Sequence, residues 1–194
     1  MRILKISLII LVVLFLTLIT QVGGLVLLAS LFIKYRNKPA WARYLLQGAT
    51  FLILYIITTL LIIPLIARPF GRVPLPLTKT NGVQPLNIVT CLFNRHYVRP
   101  ELRTTVQDVA RQMNHQFPGT VVNYLDAGFA FFNKFPLVPH LSHHDGKKLD
   151  LAFYYTNTQT GLPTNEAPSF IGYGISEGPR ANEENTAVQC KANW

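Results

Sequence analysis

Ile6–Ile33 reads ISLIILVVLFLTLITQVGGLVLLASLFI, 28 residues without a charge. About 20 apolar residues cross the hydrocarbon core of a bilayer as a helix, so this stretch is long enough to span one. At about 1.5 Å per residue it measures about 42 Å, more than the ~30 Å core, which predicts tilt or overhang. Gln21, Gly23 and Gly24 interrupt it. They mark a helix-packing face or a kink, or are simply the glycines that membrane helices tolerate. The positive MRILK start suits a cleaved signal peptide, but the apolar region is too long for one and no small-x-small site precedes Gln21. A second run, Tyr44–Ala67, has 24 residues without a charge. A chain of 194 residues has nothing to bury two helices that are apolar all round. Both are therefore read as transmembrane helices, about 6–33 and 44–67.

Charge divides at the same boundary. Residues 1–67 hold no Asp or Glu and six basic residues, Arg2, Lys5, Lys34, Arg36, Lys38 and Arg43. All nine acidic residues and the other twelve basic ones follow, so the net +9 is +6 from the first third and +3 from the rest. The excess mostly flanks apolar segments. The remainder has no Lys/Arg run and no aromatic–basic interleaving, which speaks against a nucleic-acid partner. The connection KYRNKPAWAR carries four positive charges, against two on each outer flank (Arg2 and Lys5; Arg68 and Arg72). The positive-inside rule places that connection in the cytoplasm, and with two spans both chain ends then lie outside. The only cysteines, Cys91 and Cys190, fall in the outer part, where they could pair or stand as two separate thiols.

Residues 68–86 hold four prolines and two glycines and read as a Pro-rich linker or an extended lead-in, semi-rigid because of the prolines. From residue 87 a small mixed α/β domain is expected, giving a membrane-anchored α+β chain. NIVTCLF (87–93) has the β-branched, apolar composition of a buried strand. Pro100 sits where helices start, and Leu102, Val106, Val109, Met113 and Phe117 recur at helical spacing over about 101–116. TVVNYL (120–125) is a second strand and KLDLAFYY (148–155) a third. Alternation in the third puts Leu149, Leu151 and Phe153 on one face and Asp150, Ala152 and Tyr154 on the other. From Thr156 the chain is a polar tail with no sustained period.

Before the third strand lies PHLSHHDGKKLDL (139–151), which holds three of the five histidines, His140, His143 and His144. Zinc takes His nitrogen and carboxylate oxygen at about 2 Å. His143 in the loop, Asp150 on the strand and Gly146 between them to turn the chain could bring one imidazole and one carboxylate to one ion. A polar loop entering a strand has the same spacing, so both readings stand on the residues alone.

The stretch HLSHHDGKKLDLAF resembles the zinc motif of the penicillin-insensitive murein endopeptidases and the related D-Ala-D-Ala metallopeptidases, the lysostaphin-like group. Ser142, His143, Gly146 and Asp150 match that motif, and His140 matches the extra histidine of the murein endopeptidases. The resemblance covers about Thr120–Tyr155. It implies a zinc-peptidase fold, with His143 and Asp150 as zinc ligands and His140 as an accessory residue of the catalytic site. It gives no role to His144 or Asp145. It also implies zinc-activated water attacking a peptide carbonyl of peptidoglycan cross-links or stem peptides, outside a bacterial inner or plasma membrane. The family draws a third ligand and its acid/base from a later histidine motif. No histidine follows His144 here, His96 and His115 lie upstream, and Glu166, Glu177, Glu183 and Glu184 lack the family context. The zinc site therefore reads as incomplete. The chain is expected to stop short of the family's last strands, to fold differently or to have lost activity. Three functions follow: a membrane-anchored zinc metallopeptidase; a non-catalytic anchored module that binds cell wall or protein; or a membrane protein with a merely polar histidine loop.

Overall fold

The structure is a computed structural model that describes residues 2–157, 159–167 and 169–173. The chain begins with α1 (Arg2–Thr20), α2 (Gly23–Leu31) and α3 (Ala40–Ile57), which continues through a π-helical turn (Thr58–Ile62) into α4 (Ile63–Ile66). Two segments, Ile3–Thr20 and Ala40–Ile66, are long and apolar enough to cross a membrane. The π turn lies just before Pro64, whose ring and missing N–H disrupt the regular ladder one turn earlier.

The expected single helix over 6–33 is broken. At Gln21 the backbone enters the left-handed region (φ 68°), and α2 folds back along α1. Gly23 and Gly24 are what allow the two backbones to touch. A Cβ on Gly24 would collide with Thr17 Oγ1 and the Val13 carbonyl, and one on Gly23 would lie 2.6 Å from Thr20 Oγ1. The reversal is held by Gln21 itself. Its side chain accepts from Phe131 N (2.9 Å) and donates to Phe131 O (2.8 Å).

α3 then runs back toward the domain beside α2. Gln47 donates to the Ser30 carbonyl at 2.7 Å, and Asn94 of the domain donates to the Thr20 carbonyl and the Tyr55 hydroxyl, both at 3.3 Å. The C-terminal ends of α1 and α4 therefore both meet the domain. The start of α1 shares the remote end of the bundle with the 34–43 connection. The reading of 6–33 as one span overlooked this return of α2 along α1.

The domain is mixed α/β. It comprises β1 (Val73–Pro74), β2 (Val83–Pro85), α5 (Ile88–Leu92), β3 (Tyr97–Val98), α6 (Pro100–Gln116), β4 (Val122–Tyr124), β5 (Tyr155–Thr156) and β6 (Pro163–Thr164). β2 pairs in parallel with β4, while β1–β3 and β5–β6 are antiparallel. Leu75, Val83, Cys91, Val98, Val106, Ala110, Val122, Tyr124 and Ala127 form the core.

Four expectations are corrected here. The stretch 68–86 is no linker: β1 and β2 lie in it, and Leu75 and Val83 are fully buried. NIVTCLF forms α5 instead of a strand, because Asn87 caps it by accepting from Val89 N (3.1 Å) and burial of Cys91 is satisfied by one helical turn. KLDLAFYY forms no continuous strand. Residues 150–152 pair with 123–126 (Leu125 N to Asp150 O, Asp150 N to Asp126 O, Ala152 N to Asn123 O), and Leu151 forms an isolated bridge with Tyr124. Burial does not follow the expected alternation: Ala152 is buried and Leu149 packs against the core, while Leu151, Phe153 and Tyr154 are exposed. The start of the expected tail is tied in, as β5–β6 leads to Asn165, which accepts from Val121 N (2.8 Å). Residues 174–194, with Cys190, lie outside the described residues. Helix 101–116 forms as expected, though it buries Val106 and Ala110 while Val109 and Phe117 are exposed.

Candidate metal centre

The backbone pairing of 150–152 against 123–126 sets Asp150 beside Asp126 at the end of β4. The loop from Ala127 to Leu149 is anchored by Leu137, fully buried, and by an edge-on Phe129–Phe135 pair. It returns through a turn in which His143 N donates to His140 O (2.9 Å). Gly146 takes φ +71°, as the turn requires, and its missing side chain is filled by the buried guanidinium of Arg72. Arg72 is itself held by Asn133 Oδ1 (2.8 Å), and Arg99 donates to the carbonyls of Gly146 (2.8 Å) and Asp145 (3.1 Å).

This scaffold brings His140, His143 and Asp150 together, with one ligand atom from each lying within 4.8 Å of the others. His143 Nε2 is 3.2 Å from Asp150 Oδ1, and His140 Nδ1 is 3.2 Å from Asp150 Oδ2. Ligand atoms about 2 Å from one ion at tetrahedral angles lie about 3.4 Å apart, and each of the two His–Asp150 contacts is near that spacing, on different carboxylate oxygens.

His143 Nδ1 lies 2.8 Å from the Ala127 carbonyl, which can only accept, so Nδ1 carries a hydrogen. Nε2 then presents a lone pair to the Asp150 carboxylate. Two acceptors at 3.2 Å repel unless a proton or a metal cation lies between them. A ligand histidine is oriented in this way, by donating its other nitrogen to a carbonyl. Burial opposes the charged form of His143, but Asp150, the Ala127 carbonyl and Asp126 outweigh it and raise its pKa above the usual 6.5. For Asp150 burial is likewise overcome, by His143, Tyr173 and His140, and its pKa falls.

Other groups frame the cluster. The Tyr173 hydroxyl donates to Asp150 Oδ2 (2.8 Å), and its ring stacks on His140 at 5.1 Å and 18°. Burial and the nearby carboxylates raise the Tyr173 pKa, keeping it a donor. Asp126 pairs with Arg95 (2.7 Å) and faces His140 Nε2 at 3.8 Å. Its pKa is raised by burial, against the pull of Arg95 and His140. Two grooves are lined by members of the cluster. One, of about 440 Å³, runs along α6 and is lined by His143, Asp150, Lys147 and Lys148. The other, of about 840 Å³, is lined by Asp126, His140, Ser142, Leu141 and Tyr173.

The structure thus brings His143 and Asp150 together and adds His140 directly to the cluster. His144 does not join it. His96 is buried elsewhere, where burial holds its pKa down at about 3, and His115 is exposed at the end of α6. Glu166 is exposed, while Glu177, Glu183 and Glu184 lie outside the described residues. Among the described residues this is the one group of three such side chains that could hold a metal. Asp126, Arg95, Arg72 and Tyr173 escaped the sequence reading. Asp126 directly follows TVVNYL and could have been flagged there, whereas nothing local marks Tyr173. No protein-family model, curated protein or solved structure matches this chain.

Proposed function

We propose that this chain is a membrane-anchored, zinc-dependent peptidase whose substrate is the peptide part of peptidoglycan, worked on outside the cytoplasm. One observation supports it most: a histidine ring nitrogen and a carboxylate, both buried in part, aim at one point that takes a proton or a metal cation. His143 and Asp150 would hold the ion, with His140 as the third ligand or the accessory group at its edge. When bound, zinc supplies an activated water and polarises the scissile carbonyl. The chain's own residues do the rest. The Ala127 carbonyl orients His143, Tyr173 orients Asp150 and His140, and the two grooves receive the peptide on either side.

The test uses the full chain in nanodiscs. Zinc is titrated calorimetrically into the native chain and into His143→Ala and Asp150→Ala, and purified peptidoglycan fragments are incubated with each and read by mass spectrometry. Stoichiometric binding lost in both variants, with cleavage by the zinc form, is the expected result. Binding unaffected by either substitution would overturn the metal reading. Binding without cleavage would favour the non-catalytic cell-wall module.

A further inference from the structure

The membrane reading of the bundle conflicts with simple lengths if the domain stands clear of the lipid. Tyr55 donates to the Leu92 carbonyl (2.6 Å), and Asn94 reaches the Thr20 carbonyl (3.3 Å) and Thr59 Oγ1 (3.5 Å). The domain therefore clasps α3 well before its apolar run ends at Ala67. From Tyr44 to Tyr55 the helix rises only about 16 Å, and from Lys5 to Thr20 α1 rises about 22 Å. A hydrocarbon core is about 30 Å thick. Helices that left the lipid where the domain begins would be too short by roughly 8–14 Å on this arithmetic.

The underside of the domain has the surface to make up the difference. Phe70, Ile88, Phe93 and Phe132 are 48%, 51%, 37% and 63% exposed, and Leu65 on α4 is 71% exposed. Phe70 stacks edge-on against Phe131 and Phe132 (5.0 and 5.6 Å), and Phe131 packs with Ile63 and Ala67, so these rings continue the outer surface of the helices, while Phe93 stands between Leu92 and Asn94, which bond α3 and α1. Two polar side chains at this level turn hydrogen-bonding groups inward, although the Asn94 amide oxygen is buried without a partner. Both ends of the Gln21 amide bond the Phe131 backbone, and the Asn94 amide nitrogen is shared among Thr20, Tyr55 and Thr59.

We infer that the apolar underside of the domain, around Phe70, Phe93 and Phe132, is immersed in the outer leaflet of the bilayer, with lipid acyl chains as its partner. The inference rests on the membrane reading above. It makes the domain part of the membrane body, where a Pro-rich linker would have made it a head on a tether. The His140–His143–Asp150 cluster is then held at a fixed height, and its substrate is met beside the membrane.

Depth-dependent quenching tests this. The full chain, with Trp41 and Trp194 replaced by Phe, is placed in nanodiscs of acyl-brominated phospholipid. Single variants Phe70→Trp, Phe93→Trp, Phe132→Trp, Leu52→Trp and Leu162→Trp are compared with the same variants in unbrominated lipid. Quenching at the three patch positions of at least half that at Leu52→Trp, with none at Leu162→Trp, is expected. Strong quenching at Leu52→Trp with none at the patch would overturn the immersion while leaving the membrane reading intact. No quenching at Leu52→Trp would overturn both. Patch emission that is blue-shifted, unquenched and dependent on protein concentration would show a second copy on this face and also overturn it. Phe132, the most exposed of the three, carries the test if either other variant fails to fold.

Discussion

His143 has its two ring nitrogens committed in opposite directions: Nδ1 to a carbonyl and Nε2 to a carboxylate. Without metal a proton must sit at Nε2, and the raised pKa says that it is held more tightly than in a free imidazole. That ion pair stabilises the metal-free fold fully below the ordinary histidine value of about 6.5 and is lost as pH rises through the raised value. Its other limit is set by Asp150, whose lowered pKa means the contribution disappears as pH falls through that value. Zinc must displace the proton, so its dependence runs the other way. Chemical denaturation between pH 6 and 8 should show metal-free stability falling with pH and zinc affinity rising; a flat zinc affinity would contradict the assignment. Tyr173→Phe removes a hydrogen bond to Asp150 and keeps the ring on His140. An outer-shell loss of this kind typically costs about 10–100-fold in metal affinity, so calorimetry should show weaker zinc with unchanged folding.

At the scale of elements, the turn that joins the two ligand residues depends on Gly146. Its φ of +71° disfavours any L side chain, and the space a Cβ would fill is occupied by Arg72. Gly146→Ala should destabilise the domain by about 1–3 kcal/mol, from the strained dihedral alone, and weaken zinc as well. Urea denaturation and a zinc titration of the same variant check the two effects. This glycine was legible in the motif, but its neighbour was not, because Arg72 comes from a stretch that looked like linker. NIVTCLF failed as a strand for a related reason: β-branched apolar residues suit burial in either form, and Asn87 tipped the choice by capping. KLDLAFYY lost both its ladder and its alternation of burial, because only 150–152 find a partner in β4 and its exit.

At the scale of the molecule, α1 and α3–α4 run side by side toward the domain, with α2 returning between their levels. This gathers Arg2, Lys5, Lys34, Arg36, Lys38 and Arg43 toward the remote end, with no acidic residue in the first 67. The positive-inside rule predicts a cytoplasmic location for that end. A tag before Arg2 and a thiol probe at Asn37 should therefore both be protected in intact cells, while a probe at Lys147 reacts. Labelling of Asn37 from outside would reverse the orientation and remove a cell-wall substrate with it.

By itself the sequence determined what depends on near neighbours along the chain: two uncharged runs of membrane length, the α6 helix after Pro100, and a histidine–glycine–aspartate spacing able to close on one ion. Tertiary structure decided whatever depends on residues far apart. Gln21 breaks the first run because Phe131, 110 residues away, takes both ends of its amide. Asp150 becomes a partner for His140 and His143 because its backbone pairs with Asp126, and Tyr173 completes the setting from a segment with no periodic signal. Periodicity reports which face of a segment is apolar, while a hydrogen bond across the fold depends on geometry that no local pattern encodes.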